Sequence, residues 1–433
     1  MKHKILLSVL AVLTASGTFV PGLGAQPMVK PYEIILSPDR ADWLYRAGEA
    51  PKIGVQVLQS NVPMKNVAVS YRIGRDMMPP MVEKDTVLPD GTATISLPPM
   101  DEPGFTSLDV TLREKPSYYG RCKVGTDVER LRPTVSAPDD FMEFWQNAIA
   151  ANAKLDLDAE MTLIPEKCTS KSLAYHISFA NLRSGARIYG ALAVPRGEGP
   201  FPALLAVPGA GARPYNPVTD AGADGVIRLD IGIHGVPVDL PYRFYSELVH
   251  GPLHDYMAMG IEDPDTYYYK RVVLGCLKAV DFLKSLPQCD TTRIAVKGES
   301  QGGFLALATA ALSSDIKAAA VYHPAMADME GYKHGRAGGW PHRLRTDTVA
   351  SHRRTLAYYD AANFAPMVKV PVYFVVGFND NVVPPTTSFA TYNSIKSPKQ
   401  LTTIPVAEHW LFRENRHDSW QWIKEQLRAN RTR

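Results

Sequence analysis

The 433-residue chain is short of several things, and each shortage excludes a class of protein. It has four cysteines, Cys122, Cys168, Cys276 and Cys289. None lies in a C-x-x-C pair or at zinc-finger distance from histidine, so no structural zinc is expected. An oxidising compartment would permit disulfides, but the spacing assigns no partners, and Cys276 falls on an apolar helix face and reads as a buried thiol. Charge of one sign is scarce too. The formal net charge is +3 and no basic block exceeds a few residues, which argues against a nucleic-acid partner or an anionic membrane surface. Long apolar runs are missing: after the first 25 residues none reaches the roughly 18 residues that cross a bilayer. What is present is ordinary for a protein with a real core, at 45% hydrophobic and 21% charged, and the length favours two domains.

Residues 1–25 read as a secretory signal peptide. Lys2 and Lys4 supply the positive start, residues 5–13 the short apolar core, and Gly22, Gly24 and Ala25 the small residues before cleavage. A membrane anchor is the alternative reading of this stretch, and no cysteine lies near the cleavage point to carry a lipid. The mature chain is expected to be periplasmic or secreted, with no membrane attachment.

Residues 26–130 carry a β pattern. Segments 32–36, 53–58, 67–73, 92–97 and 107–112 alternate or are rich in β-branched residues, and Pro89-Asp90-Gly91 and Glu102-Pro103-Gly104 separate them. Short strands at regular spacing predict an immunoglobulin-like β-sandwich. No polar constellation stands out there, so the region reads as a structural module before a carbohydrate-binding one. A Pro-containing linker spans 130–136. Asp139 or Asp140 then starts a helix. From 131 to 433 strands alternate with helices, which predicts a mostly parallel sheet covered on both faces. Ligands of such sheets sit at the carboxyl ends of strands.

The catalytic reading centres on Gly298-Glu299-Ser300-Gln301-Gly302-Gly303. An apolar run, 294–296, precedes it and a small-residue helical stretch, 304–310, follows. Strand, Gly-x-Ser-x-Gly, helix is the setting of a nucleophile elbow. Gly-x-Ser-x-Gly arises easily by chance among 31 glycines, and an ordinary strand-to-helix turn is the alternative; the flanks favour the elbow. A serine hydroxyl is a weak nucleophile and needs a base oriented by an acid. In the α/β-hydrolase order these follow as Asp or Glu and then His. Asp380, just after the segment 372–376, and His409, after 401–405, occupy those places. Asp380 has a plain turn cap as its alternative. Glu408 adjoins the histidine, His417 lies later, His323 precedes Asp380 and breaks the order, and His234 reads as pocket lining. Oxyanion donors are expected from the N–H groups of Gln301 and of Ala210 in Pro208-Gly209-Ala210-Gly211. That loop lacks the lysine and further glycines of a phosphate loop, so nucleotide binding is not supported. No cofactor or metal is called for.

At these residues the chain resembles the acetyl xylan esterases and cephalosporin C deacetylases of the α/β-hydrolase superfamily. The resemblance runs from about residue 138 to the C-terminus. It is carried by Gly260-Ile261-Glu262-Asp263-Pro264-Asp265-Thr266-Tyr267-Tyr268-Tyr269-Lys270-Arg271, by 298–303, by Tyr358-Tyr359-Asp360-Ala361-Ala362-Asn363-Phe364-Ala365 and by 377–385, with Asp140-Phe141 and Phe144-Trp145 at the opening. It implies Ser300 as nucleophile, Asp380 as orienting acid and His409 as base. It also implies metal-free deacetylation of small acetylated substrates, acetylated xylose units above all. The chain departs from the family at Pro208-Gly209-Ala210, where His-Gly-Tyr is usual, at Asp230-Ile231-Gly232-Ile233 in place of Asp-x-Arg-Gly, in 326–347 with Gly338-Gly339-Trp340, and in the leading β region. The chemistry transfers better than the substrate or the family's ring-like oligomer, and homo-oligomerisation stays open. The expected architecture is an α/β-hydrolase preceded by an immunoglobulin-like sandwich, acting as a serine esterase on acetylated oligosaccharides or other small esters. A serine peptidase of the same fold and an inactive carbohydrate-binding relative remain as alternatives. Trp340, Trp410 and Tyr268 are candidate pocket aromatics, each more readily explained by packing.

Overall fold

The computed structural model describes residues 30–429, so the expected signal peptide lies outside the described residues. These residues form three sheets. Alternation builds the first two. In Lys52–Gln59, for example, Ile53, Val55 and Val57 point inward while their neighbours face out. This strand pairs with Tyr32–Pro38, Val62–Pro63 and Thr92–Ser96 in a four-stranded sheet. A five-stranded sheet runs Leu44–Tyr45, Tyr119–Thr126, Gly104–Leu112, Val67–Arg75, Pro80–Leu88. Both sheets line one core, with Val69, Ile73, Leu108, Val110, Cys122 and Val124 supplied by the second. Pro80–Leu88 carries no alternation that would announce it, because as an edge strand it is exposed along most of both faces. Tyr119–Thr126 is obscured in the sequence by Arg121 and Lys123, of which Lys123 is buried.

The third sheet has nine strands, in the order Glu160–Leu163, Ser172–Asn181, Arg183–Pro195, Ile227–Gly232, Phe201–Val207, Cys289–Glu299, Ile316–Tyr322, Val372–Gly377, Lys399–Ile404. The last six are parallel and the first three join them antiparallel. The parallel strands are continuous apolar runs because helices cover both faces. Tyr268–Ser285, the helix that carries Cys276, is buried on more than one face, since it packs against both the sheet and the helices Phe141–Ala153 and Gln301–Leu312. Its one buried cation, Lys278, donates to the Leu155 carbonyl at 2.7 Å. All four cysteines are free thiols, and burial pushes that of Cys276 up to about 12. Among the described residues no helix is long and apolar enough to cross a membrane.

Three stretches that carry the family resemblance meet in one aromatic cluster. Trp145 lies edge-on to Tyr359 at 5.3 Å, Tyr359 edge-on to Tyr267 at 4.9 Å, and Phe141 edge-on to Phe364 at 5.0 Å. The leading β part is not a loose appendage. Phe105, Val128 and Leu131 belong to the same apolar core as the nine-stranded sheet. The Phe105 ring sits edge-on to Phe378 at 5.2 Å and 5.5 Å from Phe389. Truncating a buried phenylalanine leaves a cavity as well as lost contacts. Phe105→Ala is therefore expected to lower the unfolding free energy by about 3–4 kcal/mol. Urea midpoints would measure this, and a loss under about 1 kcal/mol would show that the two parts do not rely on this contact.

Candidate active site

Cys289–Glu299 ends where Gln301–Leu312 begins, and Ser300 is the single residue between them. Its φ of +61° and ψ of −122° lie where an L-residue rarely sits. Such a conformation costs on the order of 1–3 kcal/mol and persists only when its surroundings impose it. Here the Ser300 N–H donates to the Tyr322 carbonyl at 3.0 Å and the Ser300 carbonyl accepts from Ala325 at 2.9 Å. The glycines are demanded by close backbone approach. A Cβ on Gly298 would stand 2.0 Å from the Gly302 carbonyl, and one on Gly302 2.5 Å from that of Val207.

The loops after the last two strands of the order, Val372–Gly377 and Lys399–Ile404, supply the partners. His409 Nε2 lies 3.0 Å from Ser300 Oγ, and His409 Nδ1 lies 2.7 Å from Asp380 Oδ2. Asp380 is fully buried, and its second oxygen accepts from the N–H groups of Val382 at 2.7 Å and Val383 at 2.8 Å. Asp380 thus caps its own turn through one oxygen and meets the His409 ring through the other. A carboxylate at Nδ1 keeps the proton there and turns the Nε2 lone pair to the serine.

The rival residues fall elsewhere. Glu408 faces the leading β part, 3.4 Å from the Tyr119 hydroxyl and 3.9 Å from Arg121. His417 lies on the exposed side of the last helix. His234 hydrogen-bonds Tyr268 through Nδ1 at 2.8 Å, and burial pulls its imidazole down to about 4, so it is neutral at pH 7. His323 is fully buried with its ring 4.5 Å from that of His409. One ligand atom each of His323, Asp380 and His409 lie within 4.8 Å of one another, the spacing a metal ion would need, but Asp380 and His409 are already hydrogen-bonded to each other. Of the candidate aromatics, Tyr268 is engaged with His234, Trp340 packs against the core, and Trp410 is exposed beside Phe412.

The Ala210 turn is fixed by side chains that sequence reasoning passed over. Gln301 was singled out for its backbone, yet its fully buried side chain joins the elbow to this turn. Its Nε2 donates to the carbonyls of Pro208 at 3.3 Å and Gly209 at 3.4 Å. Its Oε1 accepts from Tyr256 at 2.6 Å and Tyr269 at 2.7 Å. Tyr256 also accepts from the Gly211 N–H at 3.3 Å. Burial raises both phenols above their ordinary range, so both remain donors. The tyrosine run 267–269 was the only sequence signal for any of this.

A profile of the acetyl xylan esterase (AXE1) family matches residues 125–426. The chain belongs to that family. It is 36% identical to the acetyl esterase Axe7A of Xylanibacter ruminicola over 98% of this chain and 97% of that protein, so the likeness runs through the leading β part. The acetyl xylan esterase of Paenibacillus sp. R4 superposes with a TM-score of 0.61 at 29% identity, covering 69% of this chain and 98% of that one. Acetyl xylan esterase 1 of Thermoanaerobacterium sp. JW/SL YS485 does so with a TM-score of 0.61 at 25% identity, covering 69% and 97%. As an acetyl xylan esterase family member the protein is a carboxylic ester hydrolase with an α/β-hydrolase catalytic part, and small esters or acetylated carbohydrates are its substrate class.

Next to the serine, Glu299 is clamped by Arg416 through two bonds of 2.7 and 3.1 Å and has His323 Nε2 at 3.4 Å. Burial opposes its ionisation, but His323 and Arg416 outweigh that and hold the carboxyl down to about 2, from an ordinary 4.5. A depressed carboxyl stabilises the fold above its unfolded value and loses that contribution as the pH falls toward the folded one. Glu299→Gln is expected to cost on the order of 2 kcal/mol at pH 7. The gap should narrow below about pH 4.5. Urea midpoints from pH 7 to 3.5 would test this, and a gap that does not change with pH would refute the assignment.

Proposed function

We propose that this protein removes acetyl groups from acetylated carbohydrates, xylan fragments first, through a Ser300–His409–Asp380 triad and an acyl-enzyme. One observation carries the reading: a serine in a strained elbow, 3.0 Å from an imidazole whose far nitrogen is 2.7 Å from a buried carboxylate. Ser300 Oγ attacks the acetyl carbonyl while His409 Nε2 takes its proton. The charge that grows on the carbonyl oxygen is met by the N–H groups of Gln301 and Ala210. His409 then passes the proton to the departing sugar oxygen and the C–O bond breaks. Water, deprotonated by the same nitrogen, attacks the acetyl-serine, releasing acetate and restoring Ser300. Asp380 holds the imidazole tautomer and stabilises the imidazolium in both halves. The altered Pro208-Gly209-Ala210 loop is compatible with this, because the donor there is backbone and the Gln301 and Tyr256 side chains hold the turn.

The reading includes an exported protein with a signal peptide over 1–25, an immunoglobulin-like sandwich over 26–130 and a catalytic domain over 131–433. Export suits a substrate too large to enter a cell. Support comes from the charge and apolar pattern of the first residues and from the two facing sheets. The test is acetate release from acetylated xylo-oligosaccharides beside p-nitrophenyl acetate. Ser300→Ala is expected to fold and to lose at least about 1,000-fold in turnover of both. Retained turnover would remove Ser300 as nucleophile. Parent activity on the nitrophenyl ester alone would keep the triad and discard xylan.

A further inference from the structure

The mechanism needs Asp380 in place to a fraction of an ångström, so its backbone must be held as firmly as its carboxylate. The turn after Val372–Gly377 leaves the sheet and is covered by the strand Tyr119–Thr126 of the leading part. At the contact stands Lys123, only 1% exposed, beside Asp76, only 2% exposed. Burying two such charges is costly unless each finds a full set of partners. Lys123 Nζ lies 2.7 Å from Asp76 Oδ1 and donates to the main-chain carbonyl of Asp380 at 2.6 Å. The other oxygen of Asp76 accepts from the Thr386 hydroxyl at 2.7 Å and from the Thr386 N–H at 3.3 Å. The ion pair thus grips the Asp380 turn on both sides.

The same strand reaches the histidine loop. The backbone N–H of Lys123 donates to Asn379 Oδ1 at 2.9 Å. Asn379 passes this on, its N–H to the Ala407 carbonyl at 3.0 Å and its Nδ2 to that of Val406 at 3.4 Å, just ahead of His409. An interface that served only to glue two halves together would have no need of an ammonium at its centre, since apolar replacement of a buried pair is commonly neutral or stabilising. What the charges add is direction, and here the direction is toward the acid and the base.

We propose that Lys123, with Asp76 as its counter-charge, is a positioning residue for Asp380, and that the leading β part is a working piece of the catalytic apparatus rather than an appended module. This rests on the triad reading above. Removing the ammonium frees the Asp380 carbonyl and lets the carboxylate drift from His409, which lowers turnover while leaving ester binding nearly alone.

The test is a double-mutant cycle on kcat for p-nitrophenyl acetate with the full chain. Lys123→Met is expected to lower kcat by about 10- to 100-fold, with KM changed by less than about threefold. On an Asp380→Asn background the same substitution should cost less than about threefold, because its effect runs through Asp380. If Lys123→Met does not fold, the charge-neutral pair Lys123→Met/Asp76→Asn, which leaves no buried charge unpaired, carries the same expectation. Parent-like kcat in a folded variant would overturn the proposal. So would a loss that multiplies undiminished on Asp380→Asn, the mark of a purely structural role. Failure of the triad reading is seen separately, as parent-like turnover in Asp380→Asn alone.

Discussion

Everything in the site depends on how closely a helix can start beside the strand that feeds it. Gln301–Leu312 begins one residue after Cys289–Glu299. Only residues without a Cβ fit where Gly298, Gly302 and Gly303 bring main chain onto main chain. That approach forces Ser300 into positive φ and lifts its hydroxyl from the strand. The strain is held by hydrogen bonds to Tyr322 and Ala325, which belong to the neighbouring parallel strand and the loop beyond it. A parallel sheet also sends its other strand ends to the same edge, so the Asp380 and His409 loops arrive beside the serine without further provision.

Around this frame, buried polar groups fix what apolar packing leaves loose. Packing sets distances to within a side chain's play, whereas a satisfied hydrogen bond in a dry interior admits one geometry. Three polar clusters surround the elbow, two of them buried and one, at Glu299 and Arg416, partly exposed. Gln301 with Tyr256 and Tyr269 holds the Ala210 turn. Glu299 with Arg416 and His323 backs the serine and the histidine ring. Lys123 with Asp76 and Asn379 holds the Asp380 turn and ties it to the loop that carries His409. The family-like stretch at Tyr358–Ala365 works differently. Asp360 caps Ala361–Phe364 and accepts from Asp328 and Met329, with burial and the nearby Asp328 raising its carboxyl to about 7. That motif is architecture, and it anchors the segment after Ile316–Tyr322.

Much of this was legible in the residues alone. The elbow, the order of serine, acid and histidine, the parallel strands and most strands of the leading part are local patterns, since strand periodicity and turn chemistry act over a few residues. Several of the strands that escaped notice have patterns that depend on neighbours. Pro80–Leu88 and Glu160–Leu163 are exposed on both faces and show no alternation, and Tyr119–Thr126 hides a buried lysine in what reads as a charged strand. No reading of residues 26–130 by themselves reveals a polar constellation there, because half of it lies in the other part of the chain.

Sequence by itself thus determined which groups stand ready for the proposed chemistry: a hydroxyl on a glycine-flanked turn, a carboxylate and an imidazole at successive strand ends. Local backbone constraints leave few alternatives for these. Tertiary structure alone decided what surrounds them: that the Gln301 side chain binds the Pro208-Gly209-Ala210 turn, that His323 packs on the His409 ring, and that Lys123, paired with Asp76, reaches the Asp380 carbonyl. The bonds of the Gln301 amide and of the Lys123 ammonium to these turns join residues 92 to 257 positions apart. They exist only once both sheets are packed and water is gone, when each buried charge or amide must find its partner wherever the fold has put it.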